Sequence, residues 1–367
     1  MRLFILIFNN LMLKINQKIT NKLKIHIPLI FLTLSGILIL AFLLDIAFGS
    51  VKIPLKEVIT ILLGGESSQP TWTNIILKFR LPKALTATFS GAALGVSGLQ
   101  MQTLFRNPLA GPFILGISSG ASLGVALILL TVSASGGGLL FKNSGILGDL
   151  SLVIAASFGA AVVLGMVLII SQRVSDTMTL LILGLLFGYA TSAIVNILLN
   201  FSDRAQIQSY LIWTFGSFSG VTWRQLTILI PIIIFGLLIA LFLSKPLNVL
   251  ILGDTHALTL GLTVQQARFW IITSASILAG AITAFCGPVA FLGVAVPHLC
   301  RSLLNTLDHR VLVPAVTIMG AVLALIADLL TQFPGSQTVL PLNSVTALIG
   351  TPVVTWVILH RNSRSYL

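Results

Sequence analysis

Five histidines, two cysteines and nine carboxylates are the groups in this 367-residue chain that could carry acid–base, nucleophilic or metal chemistry. Their placement favours none of these. His26, His256, His298, His309 and His360 are scattered, and no H-E-x-x-H spacing puts two on one helical face for zinc, so no metal site or cofactor is expected. Cys286 and Cys300 lie in apolar runs and read as buried fillers rather than a disulfide or a redox pair. An intramembrane enzyme built on His298 or Cys300 is therefore a weak reading, and no catalytic residue is assigned. No G-x-x-x-x-G-K-[ST] occurs and none of the ten lysines follows a glycine, so the chain cannot cradle nucleotide phosphates. Any ATP must be hydrolysed by another chain. An ion-coupled carrier would hold ionisable groups inside the bilayer. The deepest acids, Asp45 and Asp328, lie near the ends of their apolar runs, where a cap or local ion pair explains them equally well.

The elements that position these groups are membrane helices. Hydrophobic residues make up 56% of the chain and charged residues 8%, against about 25% charged in soluble domains. A helix needs about 20 apolar residues to cross the hydrocarbon core. Ten such runs are read at 27–49, 82–105, 112–132, 149–171, 178–201, 226–244, 269–286, 288–304, 311–332 and 344–360, giving an all-α, polytopic fold. Their length disfavours a barrel of short alternating strands. Pro288, after Cys286 and Gly287, separates the seventh run from the eighth. With both termini cytoplasmic, 13 of the 21 Lys and Arg fall inside and 8 outside, the bias expected of that orientation. The basic isoelectric point of about 10.3 then needs no nucleic-acid partner.

Residues 1–26 place Lys14, Lys18 and Lys22 on one stripe beside Leu11, Ile15, Ile19 and Leu23, a basic amphipathic segment suited to an anionic inner leaflet. Translation from Met12 is the blander alternative. The 27–49 run is too long for a signal-peptide core. The organisation expected is thus 1–26, a ten-helix domain over 27–361, and a cytoplasmic tail at 362–367.

Glycines recur every fourth residue at Gly91 and Gly95, at Gly116, Gly120 and Gly124, and at Gly184 and Gly188. In lipid such stripes let helix backbones touch. The Arg106-Asn107-Pro108 break is different, because irregular backbone at membrane depth must be covered by protein or line a cavity. It is a candidate gate or lining. Gly111-Pro112-Phe113-Ile114-Leu115-Gly116 is echoed by Gly287-Pro288-Val289-Ala290-Phe291-Leu292-Gly293, at the starts of the third and eighth runs. Five runs apart, the two point oppositely, as in an inverted-topology repeat.

Arg80-Leu81-Pro82-Lys83, GAALGVSGLQMQTLFRNPLAGPFILGISSGASLG at 91–124, LIWTFGSFSGVTW at 211–223 and LNVLILGDTHALTLGLTV at 247–264 occur in that order. GPVAFLGVAVPHLCRSL at 287–303, LDHRVLVP at 307–314 and LPLNSVTALIGTPVVTWVILHR at 340–361 follow. Together these resemble the FecCD-type permease family of binding-protein-dependent ABC importers for iron-siderophore, haem and vitamin B12. The resemblance covers roughly residues 30 to 361.

What it implies is a type II ABC importer permease without enzymatic activity, in a bacterial cytoplasmic membrane. Its partners would be a second permease subunit, two cytoplasmic ATP-binding subunits and an extracytoplasmic substrate-binding protein. Gly253, Asp254, Leu260 and Gly261 match the segment that couples to the ATPase. An acid at a helix start and a glycine at its end also suit helix physics. By similarity Asn107, Pro108 and Leu109, with Thr177 and Met178, would form a cytoplasmic gate, while Arg80 and Lys83 would dock the binding protein. The chain departs from the family at Gln332 and Val339, which puts part of that docking in doubt. Iron-siderophore is the first cargo expected, ahead of haem and cobalamin; an ion-coupled secondary transporter is the alternative.

Overall fold

The computed structural model describes residues 27–49, 51–132, 146–174, 176–332 and 339–361. The expectations for 1–26 and 362–367 lie outside them. In chain order the helices begin with α1 (Ile27–Ala47), α2 (Leu55–Leu62) and α3 (Pro70–Ile75). A π-helical turn at Ile76–Arg80 then leads into α4 (Leu81–Leu104). Next come α5 (Ile117–Ala126, extended as a π-helix over Leu127–Val132), α6 (Ile146–Arg173), α7 (Thr177–Asn200) and α8 (Arg204–Thr214). The chain continues through α9 (Trp223–Phe242), α10 (Ser244–Leu250), α11 (Asp254–Thr259) and α12 (Val264–Cys286). It closes with α13 (Leu292–Leu304), α14 (His309–Thr331) and α15 (Leu342–Arg361).

Six of these helices, α1, α6, α7, α9, α12 and α14, are long and apolar enough to cross a membrane. Three shorter apolar stretches fall on α5, α13 and α15. With α4 they account for all ten apolar runs. The fold is all-helical among the described residues, apart from an isolated antiparallel bridge between Gln332 and Val339. That bridge brings together the two positions where the sequence departs from the family pattern. The break after Cys286 is present: Gly287 ends α12 at φ 75° and α13 starts only at Leu292.

Helix α4 is the centre of the bundle, with 20 of its 24 residues buried. Small residues make this possible. A side chain on Gly91 would run into the Gly320 carbonyl of α14, and one on Gly98 into the Gly293 carbonyl of α13, so the backbones themselves are in contact. Burial on every face also requires its polar groups to be paired. Ser97 donates to the Ala275 carbonyl at 2.8 Å, Gln100 Nε2 donates to Ser274 Oγ at 3.0 Å, and Thr103 Oγ1 lies 2.8 Å from His309 Nε2. The second glycine stripe joins α5 to α6, where Gly120 and Gly124 meet Gly159 and Ala155. Close helix packing is thus what these stripes do. Gly116 differs: it caps α5 at φ 76° against Gly184 and Gly188 of α7, a left-handed conformation with no room for a Cβ.

The two echoed segments meet. Pro112 of the first packs its ring on Gly293 of the second, near the depth of Gly98 on α4. Irregular backbone there is covered by protein, as a lipid environment demands.

Candidate functional site

Between α4 and α5 the chain turns sharply, starting at Arg106 in a left-handed conformation (φ 46°). The Asn107 amide donates to the Gln102 carbonyl at 3.1 Å, and its side-chain oxygen accepts from the Leu109 amide at 2.9 Å. His298 Nε2 on α13 lies 2.7 Å from the Pro108 carbonyl, which gives this histidine a bracing role. Gln102 bridges in the same place: its amide donates to the Val294 carbonyl at 3.1 Å and its oxygen accepts from Arg301 Nη1 at 2.7 Å. The turn is therefore held firmly on α13, while the Leu109 side chain projects outward, 47% exposed.

The second expected gate segment begins α7. Thr177 is its first residue, and Asp176 caps it by accepting from the Met178 amide at 3.3 Å and the Thr179 amide at 2.8 Å. The Thr179 hydroxyl, and then these amides, hold the Asp176 carboxyl below the usual carboxylate range. Met178 is exposed.

The short helix α11 sits between α10 and α12, bounded by Gly253 at φ 105° and Gly261 at φ 81°. Both are conformations that side-chain-bearing residues avoid, so the glycines set its two ends. Leu252, Leu258 and Leu260 project from this region at 59%, 61% and 64% exposure. Asp254, the first helical residue, pairs with two arginines on different parts of the chain. Arg106 of the α4–α5 turn pairs with its Oδ1. Arg268 Nη2 of α12 lies 3.7 Å from its Oδ2. Arg268 is buried, and its Nη1 donates at 2.9 Å to the Val174 carbonyl, just before α7. The structure thus gathers both expected gate segments and α11 at one end of the bundle, with Asp254 between them.

Arg80 and Lys83 are only 7% and 4% exposed, and both are engaged within the chain. Lys83 Nζ lies 2.6 Å from Asp328 Oδ2 and 3.4 Å from Asp45 Oδ1, joining α4 to α14 and α1. Arg80 donates to the carbonyls of Ile46 at 2.7 Å and Ala47 at 2.8 Å, and also to that of Val51, closing the end of α1. The physical reason is pairing: two cations and two carboxylates in one buried cluster balance each other, whereas an outward turn would strand Asp45 and Asp328. The local ion pair considered for those acids is what the structure contains.

Two cavities stand out among the described residues. One, of about 290 Å³, lies between the echoed segments and is lined by Leu109, Gly111, Pro112, Phe113, Ala290 and Phe291 among others. The other, of about 170 Å³, is hydroxyl-rich, with Ser118, Ser119, Ser122, Ser192, Asn196 and Tyr210. Both fall below the roughly 300–1,000 Å³ of enclosed small-molecule sites. Among the described residues no three His, Cys, Asp or Glu side chains converge to hold a metal ion.

Against known proteins, the profile of the FecCD transport family matches residues 37–360. The chain belongs to the FecCD transport family. Among its FecCD relatives, the vitamin B12 import system permease protein BtuC of Klebsiella pneumoniae is 34% identical over 325 residues, 86% of this chain and 94% of that protein. The hemin transport system permease protein HmuU of Yersinia pestis is 34% identical over 327 residues, 89% of this chain and 95% of that one. A solved metal-chelate type ABC transporter in an inward-facing conformation superposes with a TM-score of 0.78 at 26% identity, covering 90% of this chain and 99% of the other. This FecCD protein is therefore a membrane-spanning ABC importer permease of the metal-chelate, B12 and haem type.

Sequence reasoning singled out Asp254 and, in the Arg106-Asn107-Pro108 break, Arg106, but it paired neither Arg106 nor Arg268 with Asp254. Arg106 is 148 residues away, and nothing local couples two such positions. Arg268 lies 14 residues on, a spacing that an intervening loop makes uninformative.

Proposed function

We propose that this chain pairs with a second permease subunit and that a large metal chelate passes between them, driven by two cytoplasmic ATP-binding subunits and fed by an extracytoplasmic binding protein. In this reading both termini are cytoplasmic, α11 is the contact with the ATPase, Gly253 and Gly261 fix its ends, and Asn107, Pro108, Leu109, Thr177 and Met178 form the inner gate. An iron-siderophore is the cargo we favour; haem and cobalamin, named for the two relatives above, are the alternatives. The small cavities of the single chain suit a pathway built between subunits.

The observation that carries this reading is α11. Three exposed leucines beside a helix of six residues are an apolar patch that a protein partner would cover. The ion-coupled alternative is poorly supported, because Asp45 and Asp328 are already engaged with Lys83.

The test is to tag the chain, purify it from native membranes in mild detergent and identify what accompanies it. Wild type is expected to bring down a soluble chain with a P-loop, and Leu260→Asp to lose it while the permease remains folded. An ATPase that binds the Leu260→Asp variant normally removes α11 from the interface.

A further inference from the structure

We propose that Asp254 acts as a two-armed charge clamp that carries movement of α11 to both loops at that end of the bundle. This rests on reading α11 as the ATPase contact and the 105–110 and 174–178 segments as the gate. The two arms differ in kind. Arg268 is buried and bonded to the Val174 carbonyl, so it forms a fixed arm that ties α11 to the entry of α7. Arg106 is the releasable arm: its side chain is 46% exposed and that of Asp254 38%, so water can replace either partner of the pair. Arg106 also holds a left-handed backbone conformation, which is strained for a residue with a side chain. Its pairing with Asp254 is one contact favouring that conformation, and its loss lets the turn relax.

Only two residues separate Arg106 from Leu109, so a changed backbone at Arg106 moves the exposed Leu109 side chain. His298 anchors the turn to α13 at the Pro108 carbonyl, which makes that point the pivot about which Leu109 turns. A partner that pulls α11 therefore acts on Leu109 through Arg106, and on the start of α7 through Arg268. Asp254 is a positioning residue here; it touches no cargo.

The test exploits the two native cysteines, both buried, which leave a quiet background for labelling. Leu109→Cys is introduced into the full complex in inside-out vesicles, and its reaction rate with a membrane-impermeant maleimide is read with and without ATP and vanadate. Trapping is expected to change the rate by about fivefold or more. Adding Asp254→Asn should abolish that change while the ATP-binding subunit still co-purifies and hydrolyses ATP. A full response in Asp254→Asn with the ATPase bound overturns the clamp and leaves the gate reading intact. Loss of the ATPase from Asp254→Asn also overturns it, making Asp254 a docking residue. No response in any background, including the otherwise wild-type chain, removes the gate reading itself.

Discussion

Two charge clusters sit at opposite ends of this bundle, and they are built for different purposes. At one end Arg80, Lys83, Asp45 and Asp328 are almost wholly buried and tie α1, α4 and α14 together. At the other, Asp254 of α11 meets one buried arginine on α12 and one half-exposed arginine in the α4–α5 turn. In a buried cluster each charge depends on its partners, since water cannot replace them. An exposed pair contributes little to stability and can be exchanged cheaply. The first arrangement fixes helices in place; the second suits a contact that must change.

The comparison is broken most severely at Lys83. Lys83→Met strands two buried carboxylates and should cost about 3–5 kcal/mol, read as a large fall in Tm by fluorescence-detected size exclusion. Adding Asp45→Asn and Asp328→Asn should recover most of it; no recovery would mean that the lysine stem, not its charge, holds the helices. Arg80→Gln removes charge-assisted donors from the end of α1, with an expected loss of about 1.5–3 kcal/mol in the same assay. The smallest effect is at the opposite end, where Arg106→Gln should shift stability by under about 1 kcal/mol. Raising salt sharpens the contrast. Screening within about 10 Å at 0.1 M should erase what little Arg106→Gln costs and leave the Lys83→Met deficit untouched. A salt-sensitive deficit at Lys83 would contradict its burial.

Much of the architecture was legible because it follows from local properties. Ten apolar runs announced ten helices, and Pro288 after Gly287 announced a break, since a missing donor and a permissive φ are carried by the residues themselves. Gly253 and Gly261 bounded α11 for the same reason. The buried partners of Arg80 and Lys83 were not legible, because direction is not local. A basic residue at a helix start reads as an outward charge until Asp45 and Asp328, far away in the chain, are found waiting for it. Family resemblance carried the motif but not the orientation of its side chains.

By itself, then, the sequence determined the solvent of this protein, the order of its apolar helices and the places where helices stop. Hydropathy, proline and glycine are enough for each. Only the tertiary structure decided that the echoed segments touch at Pro112 and Gly293, that Lys83 is a buried counter-ion, and that Asp254 joins Arg106 to Arg268. The reason is that desolvation and pairing are properties of a neighbourhood, and in a ten-helix bundle the neighbours of a charge come from distant parts of the chain.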